Sequence, residues 1–434
     1  MFNGRVDKLR DLFIGLDKKV PILGGHKVIP INFDNAATTP VFKQVINKII
    51  EASEDYGSIG RGLGQKSEFS TAVYNECRNF ISDFFKAPLD KYTIIFVNNT
   101  TEGINKLSNI LITSKYDVVI TSRMEHHSND LPWRNKCIVD YIEVDNNGRL
   151  KIEELEEKLI NYNGKVKFVS LIAASNVTGY VNDLTKIAKT VHKYGAKLIV
   201  DGAQIVAHKR IYMTSDQELE NIDFLVFSAH KMYAPFGSGA IVGLNTYFND
   251  VEPDIKGGGT VEAVLDYSEI WLQTPEKNEA GSPNFFGAVA LVEGIKELEK
   301  IGYDKIEKHE KEILSKILEG MKSIPKIINY GDSENYEDRL GITVFNIEGI
   351  YNAEVAKILA EYKAIAVRQG AFCAHPYVRR LLHLSDEEAT AYLTNSNLKM
   401  QGMVRVSFGI YNSIEEVNIF LNTIEWISKN ISKF

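Results

Sequence analysis

A chain of 434 residues with 44% apolar and 25% charged side chains has the composition of a soluble globular protein and the length of two domains. Its formal net charge of −7, with Arg379-Arg380 the only dense basic patch, argues against nucleic acid as a partner. No run approaches the roughly 18 apolar residues of a membrane span. The three cysteines, Cys77, Cys137 and Cys373, are too few and too scattered for a disulfide framework, which points to a reducing cytoplasm.

From the N-terminus, Met1 to Asp17 mixes charged and apolar residues as an amphipathic helix would, unlike a signal peptide. From about residue 90 to 245, β-rich runs alternate with helix-like stretches. The runs are Thr93–Val97, Asp117–Ile120, Val166–Leu171, Lys197–Asp201, Ile222–Phe227 and Ala240–Val242. Leu184, Ile187, Ala188 and Val191 recur at helical spacing behind Asp183, a suitable cap. The alternation predicts an α/β unit, a largely parallel sheet with helices on both faces. Beyond about residue 290 a charged helix, Ala288 to Ser323 with a break near Gly302, leads into Gly341–Asn346, another helix and Ile365–Arg368. The strand Met403–Phe408 and a final helix complete an α+β unit.

The chemistry gathers at strand ends. Lys197–Val200 runs into Asp201-Gly-Ala-Gln204, and Phe224–Phe227 runs into Ser228-Ala-His-Lys231. Ligands of parallel α/β sheets bind at the carboxyl ends of the strands. A lysine there, desolvated into its neutral form, suits Schiff-base chemistry. A carboxylate against a pyridine nitrogen would keep pyridoxal phosphate (PLP) protonated. Asn98 to Gly103 opens a helix, where free N–H groups with the Thr100 and Thr101 hydroxyls form an anion site; either threonine could instead be only an N-cap. In Glu125-His126-His127, a histidine is either a flat partner for an aromatic ring or a structural residue, and no metal set is completed. Asn176 either donates to a ligand or shapes the turn before Gly179. Gly257–Gly259 and Glu279–Asn284, which includes Ser282, are loops that admit close backbone approach. Cys373 lies in a Gly/Pro-bounded loop between Arg368 and His375; it is either a reactive thiol or an inert cysteine. Arg405, alternating with apolar neighbours, faces either a pocket or solvent.

In this order the motifs resemble the class V aminotransferase family of fold type I PLP enzymes, nearest to its group II cysteine desulfurases and selenocysteine lyases, from about Ile31 to the C-terminus. The resemblance implies a large PLP-binding domain (31–295) on a mostly parallel seven-stranded sheet. It also implies a smaller α+β domain (296–434) carrying the cysteine loop, with residues 1–30 packed on that smaller domain. Lys231 would carry the cofactor, Asp201 face its ring nitrogen, and Gln204 and Asn176 contact it. His126 would stack on the ring and relay a proton. Thr100, Thr101, Ser228 and His230 would hold the phosphate, joined by Ser282 from the other subunit of a homodimer. Ala36, Asn176, Arg368 and Arg405 would take the substrate, and Cys373 its sulfur. The implied activity converts L-cysteine to L-alanine and passes a persulfide to an acceptor protein, for iron–sulfur cluster assembly or other sulfur biosynthesis. The alternatives are a selenocysteine lyase, or another class V aminotransferase or epimerase with Cys373 a bystander. Three features depart from the pattern. Gly60 stands where the family has histidine, Ala371-Phe372 replaces a histidine-rich pair, and 32 positions separate Cys373 from Arg405, roughly twice the family's spacing.

Overall fold

Seven strands pair into one sheet in the computed structural model, which describes residues 9–60, 62–395 and 401–434. The strands are β1 (Tyr92–Val97), β2 (Val118–Ser122), β3 (Ile138–Ile142), β4 (Val166–Ile172), β5 (Lys197–Asp201), β6 (Phe224–Ser228) and β7 (Gly239–Leu244). Their spatial order is β1-β7-β6-β5-β4-β2-β3. Only β7 runs against its neighbours, so the sheet is mostly parallel. Strands buried on both faces read as continuous apolar runs, and β2, β6 and β7 are buried at every position. Along β5, Leu198 and Val200 enter the core on one face while Ile199 enters the core on the other. β3 escaped the sequence reading because it is a half-exposed edge strand, broken by Asp140.

Gly103 shows how closely a helix must approach this sheet. A Cβ there would lie 2.4 Å from Val226 Cγ1, so only glycine lets the helix Thr100–Leu111 settle against β6.

A second, antiparallel sheet comes next in the chain, made of β8 (Ile327–Tyr330), β9 (Ile342–Ile347), β10 (Arg368–Gly370) and β11 (Met403–Ser407), in the order β8-β9-β11-β10. The long charged helix is interrupted at Gly302, giving Phe285–Ile301 and Tyr303–Lys322. The second of these packs with Asn352–Lys363 and Ile414–Lys429 over Phe345, Val404 and Val406. On the opposite face, Val344 and Met403 join Met124, Ile172, Tyr180 and Phe372, so this is where the two sheets meet.

The early chain ties the sheets together. Ile31–Asn32 pairs in parallel with Ile365–Ala366, and Asp34 bridges to Ser407 at the end of β11. Of the helix expected over Met1 to Asp17, residues 1–8 lie outside the described residues; Leu9 and Arg10 are helical. Phe13 then stacks on Phe42, with ring centroids 4.6 Å apart. The acidic stretch after Cys373 forms the helix Asp386–Thr394, with a capping box at Ser385. Among the described residues no helix is long and apolar enough to cross a membrane.

Arg339 is the buried polar rivet between the sheets. Its guanidinium donates to the carbonyls of Thr178 (2.9 Å), Asp332 (2.8 Å) and Ile342 (3.0 Å). A buried carbonyl left without a donor costs on the order of 1–3 kcal/mol. Arg339→Met is therefore expected to destabilise the fold by about 3 kcal/mol or more, read as a lowered denaturant midpoint. A loss below about 1 kcal/mol would show that the carbonyls find other donors.

Candidate active site

β4, β5 and β6 end on Ile172, Asp201 and Ser228, and all three residues line one cavity of about 480 Å³. Parallel strands place their carboxyl ends on one edge, so groups that succeed apolar runs in sequence converge in space. Lys231 and His230 belong to the short helical turn Ala229–Lys231 directly after β6, which brings both to the same cavity.

Asp201 is fully buried, and burial raises its pKa; the Ala203 N–H, 2.9 Å from Oδ1, and the positive charge of Lys231 partly offset this. Lys231 is half-buried in the cavity wall. Removal from water pushes its amine down to about 8; Asp201 pulls it back up, and Arg405 pushes it further down. An amine so placed keeps a far larger neutral fraction near physiological pH than an ordinary lysine, and the neutral form is the nucleophile.

The helix Thr100–Leu111 brings its N-terminus to the same cavity. Its cap is Asn99, whose side chain accepts from Glu102 N–H at 3.0 Å, so Thr100 and Thr101 are not needed for capping. Their hydroxyls are instead engaged laterally: Thr100 Oγ1 lies 2.7 Å from Ser228 Oγ, and Thr101 Oγ1 lies 2.6 Å from Ser128 Oγ. Hydroxyls at a helix start form an anion cup.

Ser128 also fixes the imidazole beside that cup. Its main-chain N–H donates to His126 Nδ1 at 3.1 Å. A ring nitrogen that accepts from an amide carries no proton, so the proton of neutral His126 sits on Nε2. Burial, with Lys231 adding to it, pushes the His126 pKa down to about 3, so the ring is neutral through the physiological range. A buried network holds the turn in place: Glu125 accepts from Ser122 Oγ (2.6 Å) and Asn129 Nδ2 (2.7 Å), and Asn129 accepts from Trp133 Nε1 (3.3 Å). Gln204, buried in the cavity wall, donates from Nε2 to the Ala36 carbonyl at 2.9 Å.

The far wall comes from the second sheet. Arg405 is buried, not solvent-facing, and donates to Asn176 O and Asp34 Oδ1, each at 2.9 Å. Arg368, half-exposed, lies 3.6 Å from the other oxygen of Asp34. One carboxylate thus holds two guanidiniums at the cavity, a role no local sequence pattern signals. Asn176 donates to the Phe372 carbonyl at 2.8 Å, while its Oδ1 is buried without a partner among the described residues. Cys373 is exposed and lines the cavity; it and Phe372 both sit at φ 53°, a left-handed conformation that costs a non-glycine residue about 1–3 kcal/mol.

Ala36, Thr100, Thr101, His126, Asn176, Asp201, Gln204, Ser228, His230, Lys231, Arg368, Cys373 and Arg405 therefore share one cavity. Ser282 does not. It is exposed on a separate recess of about 800 Å³ with Tyr56, Gly60 and Arg78, on a loop anchored by Glu279, which accepts from Arg78 (2.6 Å) and Tyr74 (2.8 Å). Ser128, Asp34 and Phe372 are among the cavity or supporting residues that the sequence did not single out.

Residues 31–420 match the model of the family described as Aminotransferase class-V. A probable cysteine desulfurase of Pyrococcus abyssi is 35% identical over 92% of this chain and 95% of its own length. A cysteine desulfurase of Wigglesworthia glossinidia brevipalpis is 31% identical over 93% and 94%. The apo structure of the cysteine desulfurase from Thermococcus onnurineus NA1 is 31% identical, has a TM-score of 0.81, and aligns over 92% of this chain and 95% of that one.

The class-V family is PLP-dependent, and the cavity fits that cofactor. Asp201 is buried beside the Lys231 amine with no ion pair among the described residues. Asn176 Oδ1 lacks a donor, and the hydroxyl cup lies at a helix N-terminus. A cationic ring nitrogen, a polar ring substituent and a phosphate would satisfy these groups. The rate at which the cofactor-stripped protein captures PLP is expected to rise with pH through an inflection near 8 and to level off above it, as Lys231 loses its proton. Asp201→Ala, which removes the charge holding that proton, should move the inflection lower. An inflection in the ordinary lysine range would contradict the assignment of a buried amine.

Proposed function

The chain belongs to the class-V aminotransferase family, and on that premise we propose that it is a cysteine desulfurase that moves sulfur from L-cysteine onto Cys373 and releases L-alanine. The observation that carries this reading is the shared cavity: a thiol and a lysine amine, from opposite sheets, line the same space. In net terms the substrate's Cβ–S bond breaks and an S–S bond forms at Cys373. Thiol plus cysteine becomes persulfide plus alanine, with every atom conserved.

PLP, when bound through the lysine, supplies the electron sink that makes the substrate's Cα acidic and its Cβ–S bond labile. The protein's own residues supply the rest. Thr100 and Thr101, with the first turn of the helix they begin, and Ser228 would hold the phosphate, aided by His230. The neutral ring of His126 would stack on the cofactor and, with its proton on Nε2, could pass it to the substrate. Asp201 would hold the ring nitrogen cationic, and Gln204 and Asn176 would contact the ring's oxygen. Arg405 and Arg368, aligned by Asp34, take the substrate carboxylate beside Ala36 and Asn176. Lys231 Nζ removes the Cα proton and later returns one; an amine with a pKa near 8 can serve in both directions.

Ser282 fits this scheme across a homodimer, where its exposed loop would reach the phosphate of the second copy. The persulfide on Cys373 would pass to an acceptor protein, and three free cysteines accord with a reducing, cytoplasmic setting.

Cys373→Ala is expected to lower alanine and sulfide release from L-cysteine by on the order of 100-fold or more while PLP binding and its visible absorbance persist. Mass spectrometry of the cysteine-treated parent should find one added sulfur atom on the peptide containing Cys373. Alanine release at the parental rate in the variant would make Cys373 a bystander and favour another class-V reaction.

A further inference from the structure

Two imidazoles beside Cys373 have no role in the chemistry above. His127 is next in the chain after the ring-stacking His126, and its main-chain N–H donates to the carbonyl of Cys373 at 2.7 Å. Its side chain turns to the other flank of the loop. Nε2 of His127 accepts from the main-chain N–H of His375 at 3.3 Å and lies 3.0 Å from His375 Nδ1. The two rings are nearly parallel, at 10°, with centroids 4.8 Å apart.

The loop needs such a grip. Phe372 and Cys373 occupy consecutive left-handed conformations, which the chain does not adopt unaided. The loop is also a partition. Phe372 and Cys373 line the cavity with Lys231, whereas Ala371 and His375 line a second cavity of about 730 Å³ on the other side. Phe372 and Ala374 anchor the loop in the core between the sheets, while Cys373 and His375, beside open space, depend on polar contacts. Asn176 holds the residue before the thiol. His127 holds the thiol-bearing residue and the one two places beyond.

We propose that His127 is a positioning residue that clamps the loop at and beyond Cys373, its main-chain N–H on the Cys373 carbonyl and its imidazole on His375, and so presents the sulfur to the cavity; the consequence for turnover rests on the desulfurase reading. The clamp needs a neutral acceptor. Nε2 receives an N–H, so His127 carries its proton on Nδ1, and His375 donates from its own Nδ1. Burial lowers the pKa of both rings, which favours this state. The charges around the pair already have partners. Asp130 binds Arg134 at 2.8 Å, Arg123 lies over the Tyr141 ring at 3.6 Å and 3.5 Å from Glu143, Arg380 binds Glu143 at 2.7 Å, and Arg379 binds Asp386. A doubly protonated pair would place two cations together and remove the acceptor.

The test measures hydrogen exchange across residues 370–378 in the PLP-loaded protein together with steady-state turnover of L-cysteine. His127→Leu is expected to speed exchange there by about tenfold or more and to lower kcat for alanine about tenfold, with KM for cysteine within about twofold. His127→Gln, which keeps an acceptor near the Nε2 position, should restore both. Should the leucine variant fail to fold, His375→Ala removes the ring donor from the loop side and is expected to show the same split more weakly. Parental exchange in the folded variants, or parental kcat with faster exchange, would overturn the proposal. If the parent forms no alanine yet exchange responds as described, the desulfurase reading fails and the clamp stands.

Discussion

A single carboxylate withdrawn from water organises this protein. Asp201 ends the fifth strand of the large sheet, fully buried, with one backbone N–H and the charge of Lys231 to stabilise it. Burying a lone carboxylate is costly, and proteins retain such groups where a cation completes the site. A protonated ring nitrogen meets that need. The same burial that raises Asp201 lowers Lys231, so one desolvated pocket prepares both the partner of the ring and the nucleophile that captures it.

The second constraint is mechanical. The amine, the carboxylate and the hydroxyl cup belong to the parallel sheet, whereas Arg368, Cys373 and Arg405 arrive from the antiparallel sheet and its loops. Asp34, on the early segment bridged to β11, aligns the two arginines, and Arg405 in turn grips the Asn176 carbonyl on the large-sheet side. The two arginines and the thiol are thereby registered to the large-sheet side of the cavity through a chain of charge-assisted hydrogen bonds, with Arg339 riveting the sheets nearby. A shift of one sheet against the other would move thiol and amine apart, so sheet packing and sulfur transfer are coupled.

Much of this was legible in the sequence because fully buried parallel strands are continuous apolar runs, and the residues that leave their carboxyl ends must sit at one edge of the sheet. Asp201, Ser228 and Lys231 stood out for that reason, as did the break at Gly302 and the Asp183 cap, whose side chain accepts from Lys186 N–H. The strand Ile138–Ile142 did not, since an edge strand with a central aspartate lacks that signature. Nor did Asn99, which takes the capping role that Thr100 or Thr101 could have held. Asp34 and His127 gain their meaning from partners hundreds of positions away, such as Arg405 and His375. Local patterning carries no trace of such pairings.

The most direct measurement is the protonation state of the cofactor's ring nitrogen in the loaded protein, read by nitrogen NMR with ¹⁵N-enriched PLP. With Asp201 in place the ring nitrogen is expected to be protonated at neutral pH and to lose that proton in Asp201→Ala. An unprotonated ring nitrogen in the parent protein would contradict the role given to the buried carboxylate and, with it, the chemistry built on the cavity.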